Sequence, residues 1–331
     1  MLFELLIIIV LALHLMCMNV AAAGPLVCTW LDWRGGRGDP LADRVGRFLC
    51  WNSLALFLIG GGFGLLLAYL RWDDAYHEVF HKFPSKITFG MWELIFSFVL
   101  VSGSGVLWCY APGSKLARGG RILLLFLAGT NLLYHFPFLF AIISRVHSGT
   151  FNPPGVVDAS MFRGLMMEDS VLPQVVHFSF ASFAMVGITM IGFALWCERS
   201  WGENETDAAE PVDRESPNHD AENIIVRVAD IGEDSQRIVA WGARLALGAT
   251  LCQIPVGMWF VVKLSPGAQQ RVLGGDLVAS GLLGVSIVLA LGLLHHLSSL
   301  ALGVPRKKTM TMAMAMVIVL ITLMTGVLQR I

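Results

Sequence analysis

The sequence predicts an all-α membrane protein, a bundle of about eight transmembrane helices. Of the 331 residues, 56% are apolar and only 14% are charged, and the mean hydropathy is +0.68. A soluble domain, by comparison, is about 25% charged. Apolar runs of about 20 residues, the length that crosses a hydrocarbon core of roughly 30 Å, also recur along the whole chain.

The apolar runs and the charged residues between them delimit the individual spans. The small residues around Ala22 resemble a signal-peptidase site at the end of the first run. That run carries Glu4 and no basic leader, so we expect it to be kept as a membrane helix. Spans 1 to 8 are predicted at residues 3–30, 48–70, 88–110, 121–143, 171–196, 241–262, 273–300 and 309–328.

The distribution of Lys and Arg predicts the orientation of the spans. The loops that follow odd-numbered spans carry about twice as many of them as the other loops and the tail together. We therefore expect both termini on the outer, periplasmic side of a bacterial inner membrane. The acidic, aromatic-poor segment 200–240 is expected to be a flexible cytoplasmic loop. It would separate a first five-helix bundle, 1–199, from three further helices within 241–331.

Four histidine or acidic side chains, each on a different predicted span, are the candidate functional residues inside the membrane. They are His14 in span 1, Glu93 in span 3, His135 in span 4 and His177 in span 5. Such residues are costly in lipid and face a bundle interior or a functional site. With the predicted orientation, all four lie in the outer half of the bilayer.

A haem iron suits this arrangement, because it binds neutral imidazoles that project between helices. His177 is the strongest candidate ligand, since it lies about two turns into a long apolar span after Pro173. His14 and His135 are further candidates, although each could instead bond a neighbouring helix's carbonyl. Glu93 could ligate the iron, hydrogen-bond a ligand or carry a proton. The sequence contains no C-x-x-C-H, so one or two haem b groups are expected rather than a covalent c-type haem.

Three stretches resemble subunit I of the cytochrome bd-type quinol oxidases. Span 1, LALHLMCMNVAAAGPLVCTWLDW, and span 3, FGMWELIFSFVLV, are similar to helices that carry a haem-ligand histidine and a glutamate near the high-spin haem. Span 5, VVHFSFASFAMVG, is similar to the family's F-V-H-T-x-x-A-x-Y-V-x-G helix. The resemblance implies that His14 and His177 are haem ligands and that Glu93 is a functional carboxyl in the haem pocket.

The sequence also departs from that family. The family has a second glutamate eight residues after the first, where this chain has Val101. The family's second ligand to the low-spin haem is a methionine, and span 7 contains no methionine. His135 could supply that ligand. The family's long quinol-binding loop is reduced to LSPGAQQRVL between spans 6 and 7, and its Gly-Arg-Gln-Pro-Trp motif is absent.

The resemblance and the buried histidines together predict a membrane-embedded b-type cytochrome. We expect an electron-transfer subunit of a respiratory-type complex, working between quinol or a periplasmic cytochrome c and a partner. Other membrane subunits are therefore expected partners. The chain would be an oxidoreductase subunit only if haem is bound. The net charge of −1 argues against nucleic acid as a partner.

Two alternatives remain open from the sequence. Residues 77–81 read His-Glu-Val-Phe-His, and on a helix this H-E-x-x-H spacing places two imidazoles on one face, as in zinc metallopeptidases. The other alternative is a haem-free integral membrane subunit or transporter, in which the histidines only bridge helices. Inverted repeats would favour transport, but no repeat between the two halves is detected in the sequence.

Overall fold

The computed structural model describes residues 2–207, 220–303 and 306–330, and the side chains of these residues except 199–231. Its elements are α1 (Leu2–Gly35), α2 (Pro40–Leu70), α3 (Asp74–Lys82), α4 (Pro84–Tyr110), α5 (Lys115–His147), α6 (Ala159–Met166), α7 (Val171–Asp207), α8 (Asp220–Val262), α9 (Pro266–Gln270), a π-helical turn (Arg271–Gly275), α10 (Leu277–Ala301) and α11 (Lys307–Leu328).

Eight of these helices are long and apolar enough to cross a membrane, which confirms the predicted all-α bundle. They are α1, α2, α4, α5, α7, α8, α10 and α11. No strand occurs in the described part of the chain. The protein is therefore an integral membrane protein, and α3, α6 and α9 are short helices in the connections.

Polar residues at the ends of the apolar runs cap several helices. The Asp39 carboxylate accepts a hydrogen bond from the Ala42 backbone N–H, and Pro40 occupies the first turn of α2. Ser114 caps α5 through the Ala117 N–H in the same way. These caps satisfy backbone donors that have no partner inside the helix, so they fix where the spans begin.

The long helices pack as two four-helix halves. In the first half α1 packs along α2 and α4 along α5, and in the second half α7 packs along α8 and α10 along α11. The halves meet where α1 contacts α7. In addition, α1 contacts α11, the last helix of the second half, and α7 contacts α5, the last helix of the first half. This reciprocal packing indicates an approximate two-fold relationship between residues 2–147 and 171–328.

The same relationship can be read from residue spacing. On α1 and on α7, a histidine, a small polar residue and a glycine follow one another at intervals of five. Under this alignment each α7 residue lies 163 positions after its α1 counterpart. The equivalent pairs are His14 and His177, Asn19 and Ser182, and Gly24 and Gly187.

Glycines bring the helices of each hairpin into close contact. A Cβ atom at Gly24 would overlap the Ser53 hydroxyl of α2, and one at Gly187 would overlap the Gly242 carbonyl and Ala246 of α8. Small residues of this kind allow membrane helices to approach closely. The first and second hairpins therefore use the same device at equivalent positions.

A buried ion pair links α1 and α5 at the Gly35 end of α1. Arg121 donates two hydrogen bonds to Asp32, from Nε to Oδ2 at 3.0 Å and from Nη2 to Oδ1 at 2.8 Å, and both side chains are fully buried. Arg118 adds a third bond to Asp32 at 3.1 Å. Bidentate geometry of this kind is strong and directional, so it fixes the position of α5 against α1.

Two further ion pairs connect the halves at this end. Arg44 of α2 pairs with Asp234 of α8, and Arg237 of α8 pairs with Asp39 at 3.0 Å. The contacts are reciprocal, since each half supplies one arginine and one carboxylate. They repeat the two-fold relationship outside the apolar core.

The division of the chain into two groups of helices by a flexible segment at 200–240 stays a prediction. Backbone of α7 and α8 covers 200–207 and 220–240, and residues 208–219 lie outside the described residues. The boundary that the packing makes visible is the connection 148–170, which joins the two halves and contains α6.

Candidate functional site

His14 lies on α1 with its ring against two glycines of α2. Its Nδ1 atom is 2.8 Å from the Gly60 carbonyl oxygen, and a Cβ at Gly64 would lie only 3.0 Å from the ring Cε1. Because a carbonyl oxygen can only accept a hydrogen bond, this contact selects the tautomer with the proton on Nδ1. The Nε2 atom is left with its lone pair, which is the form that ligates a metal.

His177 lies on α7 and faces Gly257 of α8. A Cβ at Gly257 would be 3.8 Å from both Nδ1 and Cε1 of the ring. The Nδ1 atom is buried and has no hydrogen-bond partner among the described residues. Leaving a buried polar atom unpaired costs about 1–3 kcal/mol, so this nitrogen needs a partner that is not a described protein group.

The two histidines occupy equivalent sites rather than one shared site. His14 lies on α1 and faces α2, and His177 lies on α7 and faces α8. On the partner helices, Ser53 and Gly64 have the same spacing as Ala246 and Gly257. The structure therefore builds the same arrangement twice, a histidine on the first helix of a hairpin against a glycine on the second.

Glu93 lies on α4 in a small polar cluster with α5. Its backbone carbonyl accepts a hydrogen bond from Asn131 at 3.2 Å, and Asn131 also donates to the buried Ser97 hydroxyl at 2.9 Å. The Glu93 side chain itself is half-buried. The Glu93 backbone thus takes part in a polar contact between two spans.

His135 lies one turn further along α5. Its ring makes edge-on contacts with Phe89 of α4, at 5.5 Å between ring centroids, and with Tyr134, at 5.0 Å. Among the described residues, no carbonyl oxygen bonds to the His135 ring and no glycine faces it as Gly60 and Gly64 face His14. His135 therefore belongs to the α4–α5 pair, away from the two hairpin sites.

The H-E-x-x-H motif forms the short surface helix α3. His77, Glu78 and His81 are exposed, and the Nε2 atoms of the two histidines are 3.1 Å apart. Glu78 pairs with Lys82 at 3.4 Å. Within the described residues no group of three or more His, Cys, Asp or Glu side chains is placed to hold a metal ion. The third protein ligand typical of a zinc peptidase is therefore missing from the part of the chain that the structure describes.

The hairpin sites fit a haem iron by the chemistry of their donors. An axial imidazole needs one free ring nitrogen, and its other nitrogen is commonly held by a carbonyl or carboxylate. His14 has the carbonyl contact at Nδ1, and His177 has an unpaired buried nitrogen. Glycines at the facing positions allow each ring to lie close to the neighbouring helix.

Comparison with known proteins identifies a solved structure with a similar fold. No family model matches the chain, and no curated protein matches it. Among solved structures, a chain of the bd oxidase from Geobacillus thermodenitrificans superposes with a TM-score of 0.69 and 12% sequence identity. The match covers 99% of this chain and 86% of the other.

The chain has a bd-oxidase-like fold. At this low identity the likeness concerns the helix arrangement, and it confirms the fold that the resemblance implied. The relationship between the sequences is distant, and haem binding is not part of what the match demonstrates.

Several residues of the hairpin sites carry no sequence signal on their own. Gly60, Gly64 and Gly257 are three of 34 glycines in the chain, and hydropathy does not distinguish them. The sequence signal at these sites lies on the histidine helices, where intervals of five separate His14 from Asn19 and Asn19 from Gly24. Its recurrence after His177 is visible once the two spans are aligned on their histidines.

Proposed function

We propose that the chain is a b-type cytochrome subunit of a membrane oxidoreductase complex, with haem b ligated by His177 and His14. The observation that carries this proposal is the His14 ring, whose Nδ1 atom lies 2.8 Å from the Gly60 carbonyl oxygen, so that Nε2 keeps the lone pair that a metal binds. His177 occupies the equivalent position of the second half. In a bd-oxidase-like bundle, a haem iron is the metal that such a nitrogen would bind.

The repeat supports two haem groups rather than one. His14 and His177 are equivalent under the two-fold relationship, and each faces a glycine of the neighbouring helix. A site that fits an axial imidazole in one half is therefore matched in the other. We place one haem b at each hairpin, and His135 remains a candidate for a second axial ligand.

The protein residues would hold and tune these groups. Bound haem supplies reversible one-electron transfer. The Gly60 carbonyl keeps the His14 proton on Nδ1, which orients the ring and raises the basicity of Nε2.

Glu93 is proposed to handle a proton beside the haem-holding helices. The Glu93 side chain is half-buried, and the Glu93 backbone takes part in the polar contact of Asn131 with Ser97. Carboxyls within membrane spans mark proton or ion paths in many transport and redox proteins. Its role would be to hold and release a proton as the haem charge changes.

The partners follow from the proposed chemistry. An electron-transfer subunit needs a donor and an acceptor, so we propose other membrane subunits and either quinol or a periplasmic cytochrome c. The chain would lie in a bacterial inner membrane with both termini outside, as the Lys and Arg distribution predicts. The polar segment between α7 and α8 would then be cytoplasmic.

The test is a reduced-minus-oxidised visible spectrum of Strep-tagged protein purified from haem-replete cells, together with a pyridine haemochrome assay. We expect b-type haem at about two per chain. His177→Ala and His14→Ala should each remove about one haem, and the double variant should be colourless. His295→Ala is the matched control, because His295 lies on α10, outside both hairpin sites. This variant should keep the wild-type haem content. A haem-free preparation of the wild type would refute the proposal.

A further inference from the structure

The surface helix α3 is held in place by its buried side. Val79 and Phe83 are buried in a cluster with Val146 of α5 and Val157 of the following connection. The Asp73 carboxylate caps the helix through the Tyr76 N–H at 2.8 Å, and the Lys82 carbonyl accepts a bond from the Val157 N–H at 2.8 Å. The opposite side, which carries His77 and His81, is therefore presented to solvent on a fixed support.

The two imidazoles on that side converge on one point. They are four residues apart on a helix, so they lie one above the other on the same face. Their Nε2 atoms are 3.1 Å apart, with ring centroids 4.3 Å apart and ring planes at 76°. Both side chains are exposed, and the two nitrogens are within hydrogen-bond distance of each other.

The 3.1 Å separation matches the bite of a metal chelate. Imidazole nitrogens bind Zn²⁺ at about 2.0–2.1 Å. A ligand–metal–ligand angle of about 109° then separates the nitrogens by roughly 3.3 Å, and an angle of about 90° separates them by roughly 2.9 Å. The observed distance lies between the tetrahedral and the square-planar value, so one ion could bind both nitrogens with little movement of the rings.

We propose that His77 and His81 form a surface chelate site for a divalent transition-metal ion, Zn²⁺ or Cu²⁺, with water completing its coordination. Two imidazoles favour these ions over Mg²⁺ and Ca²⁺, which prefer oxygen ligands. The site is a binding site and not a peptidase centre, because Glu78 pairs with Lys82 and no third protein ligand is grouped with it in the described residues. The proposal is independent of the haem proposal.

The neighbourhood of α3 provides matched controls. His147 packs against Tyr76 with ring centroids 4.2 Å apart and ring planes at 40°, so it is a nearby histidine outside the chelate. Glu78 lies between the two histidines in sequence. His147→Ala and Glu78→Gln should therefore leave metal affinity unchanged, whereas His77→Ala and His81→Ala should each weaken it. A second imidazole held on the same helix acts at high effective concentration, so its loss should cost about 100-fold in affinity.

The experiment is a calorimetric Zn²⁺ titration of Strep-tagged, chelator-washed full-length protein. We expect one ion per wild-type chain and about 100-fold weaker binding to each single variant. Electron paramagnetic resonance of the Cu²⁺-loaded protein should show coupling to two nitrogens, reduced to one in either variant. Unchanged haem content and gel-filtration profile in His77→Ala would show that the fold is intact.

Two results would overturn the proposal. One is the absence of Zn²⁺ binding to the wild type at millimolar metal. The other is equal affinity in the wild type, His77→Ala and His81→Ala, which would place the bound ion elsewhere. Neither result bears on the haem ligands, whose loss would be seen in the visible spectrum.

Discussion

Ser182 donates a 2.9 Å hydrogen bond to the Asn19 side chain, and the two residues are equivalent positions of the two halves. Both are buried where α1 meets α7. A contact between equivalent residues can occur only close to the axis that relates the halves. This bond therefore marks the position of the approximate two-fold axis in the bundle.

Removing this bond should loosen the contact between the halves. Ser182→Ala deletes the donor, and hydrogen bonds between membrane helices contribute about 0.6 kcal/mol on average and at most about 1.7 kcal/mol. We expect a loss of stability in that range, measured by denaturant or thermal unfolding in detergent. Ser179→Ala is the control, since the Ser179 hydroxyl bonds only to the Val175 carbonyl of its own helix. Equal losses in the two variants would contradict a role for Ser182 between the halves.

The glycines of α2 allow a direct test of the His14 site. A Cβ at Gly64 would lie 3.0 Å from the His14 ring, whereas one at Gly62 would meet no atom within 4 Å. We expect Gly64→Ala to displace the ring from the Gly60 carbonyl and to lower haem content or shift the haem spectrum. Gly62→Ala should have neither effect. Visible spectra of both variants check this, and identical spectra would argue that His14 is not a ligand.

The ion pair of Asp32 and Arg121 predicts a large effect from a small change. Asp32→Asn would leave Arg121 fully buried beside a neutral amide, and breaking a buried pair typically costs about 3–5 kcal/mol. We expect the unfolding temperature or the yield of folded protein to fall sharply. Asp169→Asn removes the partner of Lys263 in an exposed pair and should change stability little. A mild effect of Asp32→Asn would contradict the structural role assigned to this ion pair.

The Asp39 carboxylate should make stability depend on pH. Burial raises its pKa, but the Ala42 backbone N–H, Arg34 and Arg237 together outweigh burial, so the pKa lies below its ordinary value. A carboxyl with a lowered pKa stabilises the fold above its unfolded pKa, and that stability is lost as the pH falls through the folded value.

The measurement is a series of thermal unfolding curves from neutral to acidic pH. The wild type should lose stability on acidification, and Asp39→Asn should be less stable at neutral pH with a weaker acid dependence. Asp74→Asn, at an exposed position of α3, serves as the control and should follow the wild-type curve. An unaltered acid dependence in Asp39→Asn would assign the effect to other carboxyls.

The membrane-spanning helices were predictable from the sequence, because they follow from the length of the apolar runs. The spans around His14, Glu93, His135 and His177 are long apolar runs, and a run of that length must cross the membrane as a helix. The helix pairing was not predictable in this way. In lipid every face of a span is apolar, so hydropathy does not indicate which face meets which neighbour.

The candidate site was predictable only as a set of histidines. Their cost in lipid identified His14 and His177, but the facing glycines, Gly64 and Gly257, required the helix pairing. For helix α3, the sequence indicated only that His77 and His81 would share one face of a helix. Its burial of Val79 and Phe83 against α5 is a tertiary contact that local sequence does not encode.

The two-fold relationship also has a consequence for how such a chain could be assembled. Each half crosses the membrane four times, so each half begins and ends on the same side, and a second copy would insert in the same orientation as the first. A polypeptide of only one half, pairing with an identical copy through the α1 and α7 positions, could form the same eight-helix arrangement as a homodimer. Joining two copies with a connection such as 148–170 would then free each half to diverge, so that a histidine and a glycine can be kept at both sites while the partners and surfaces around them become different.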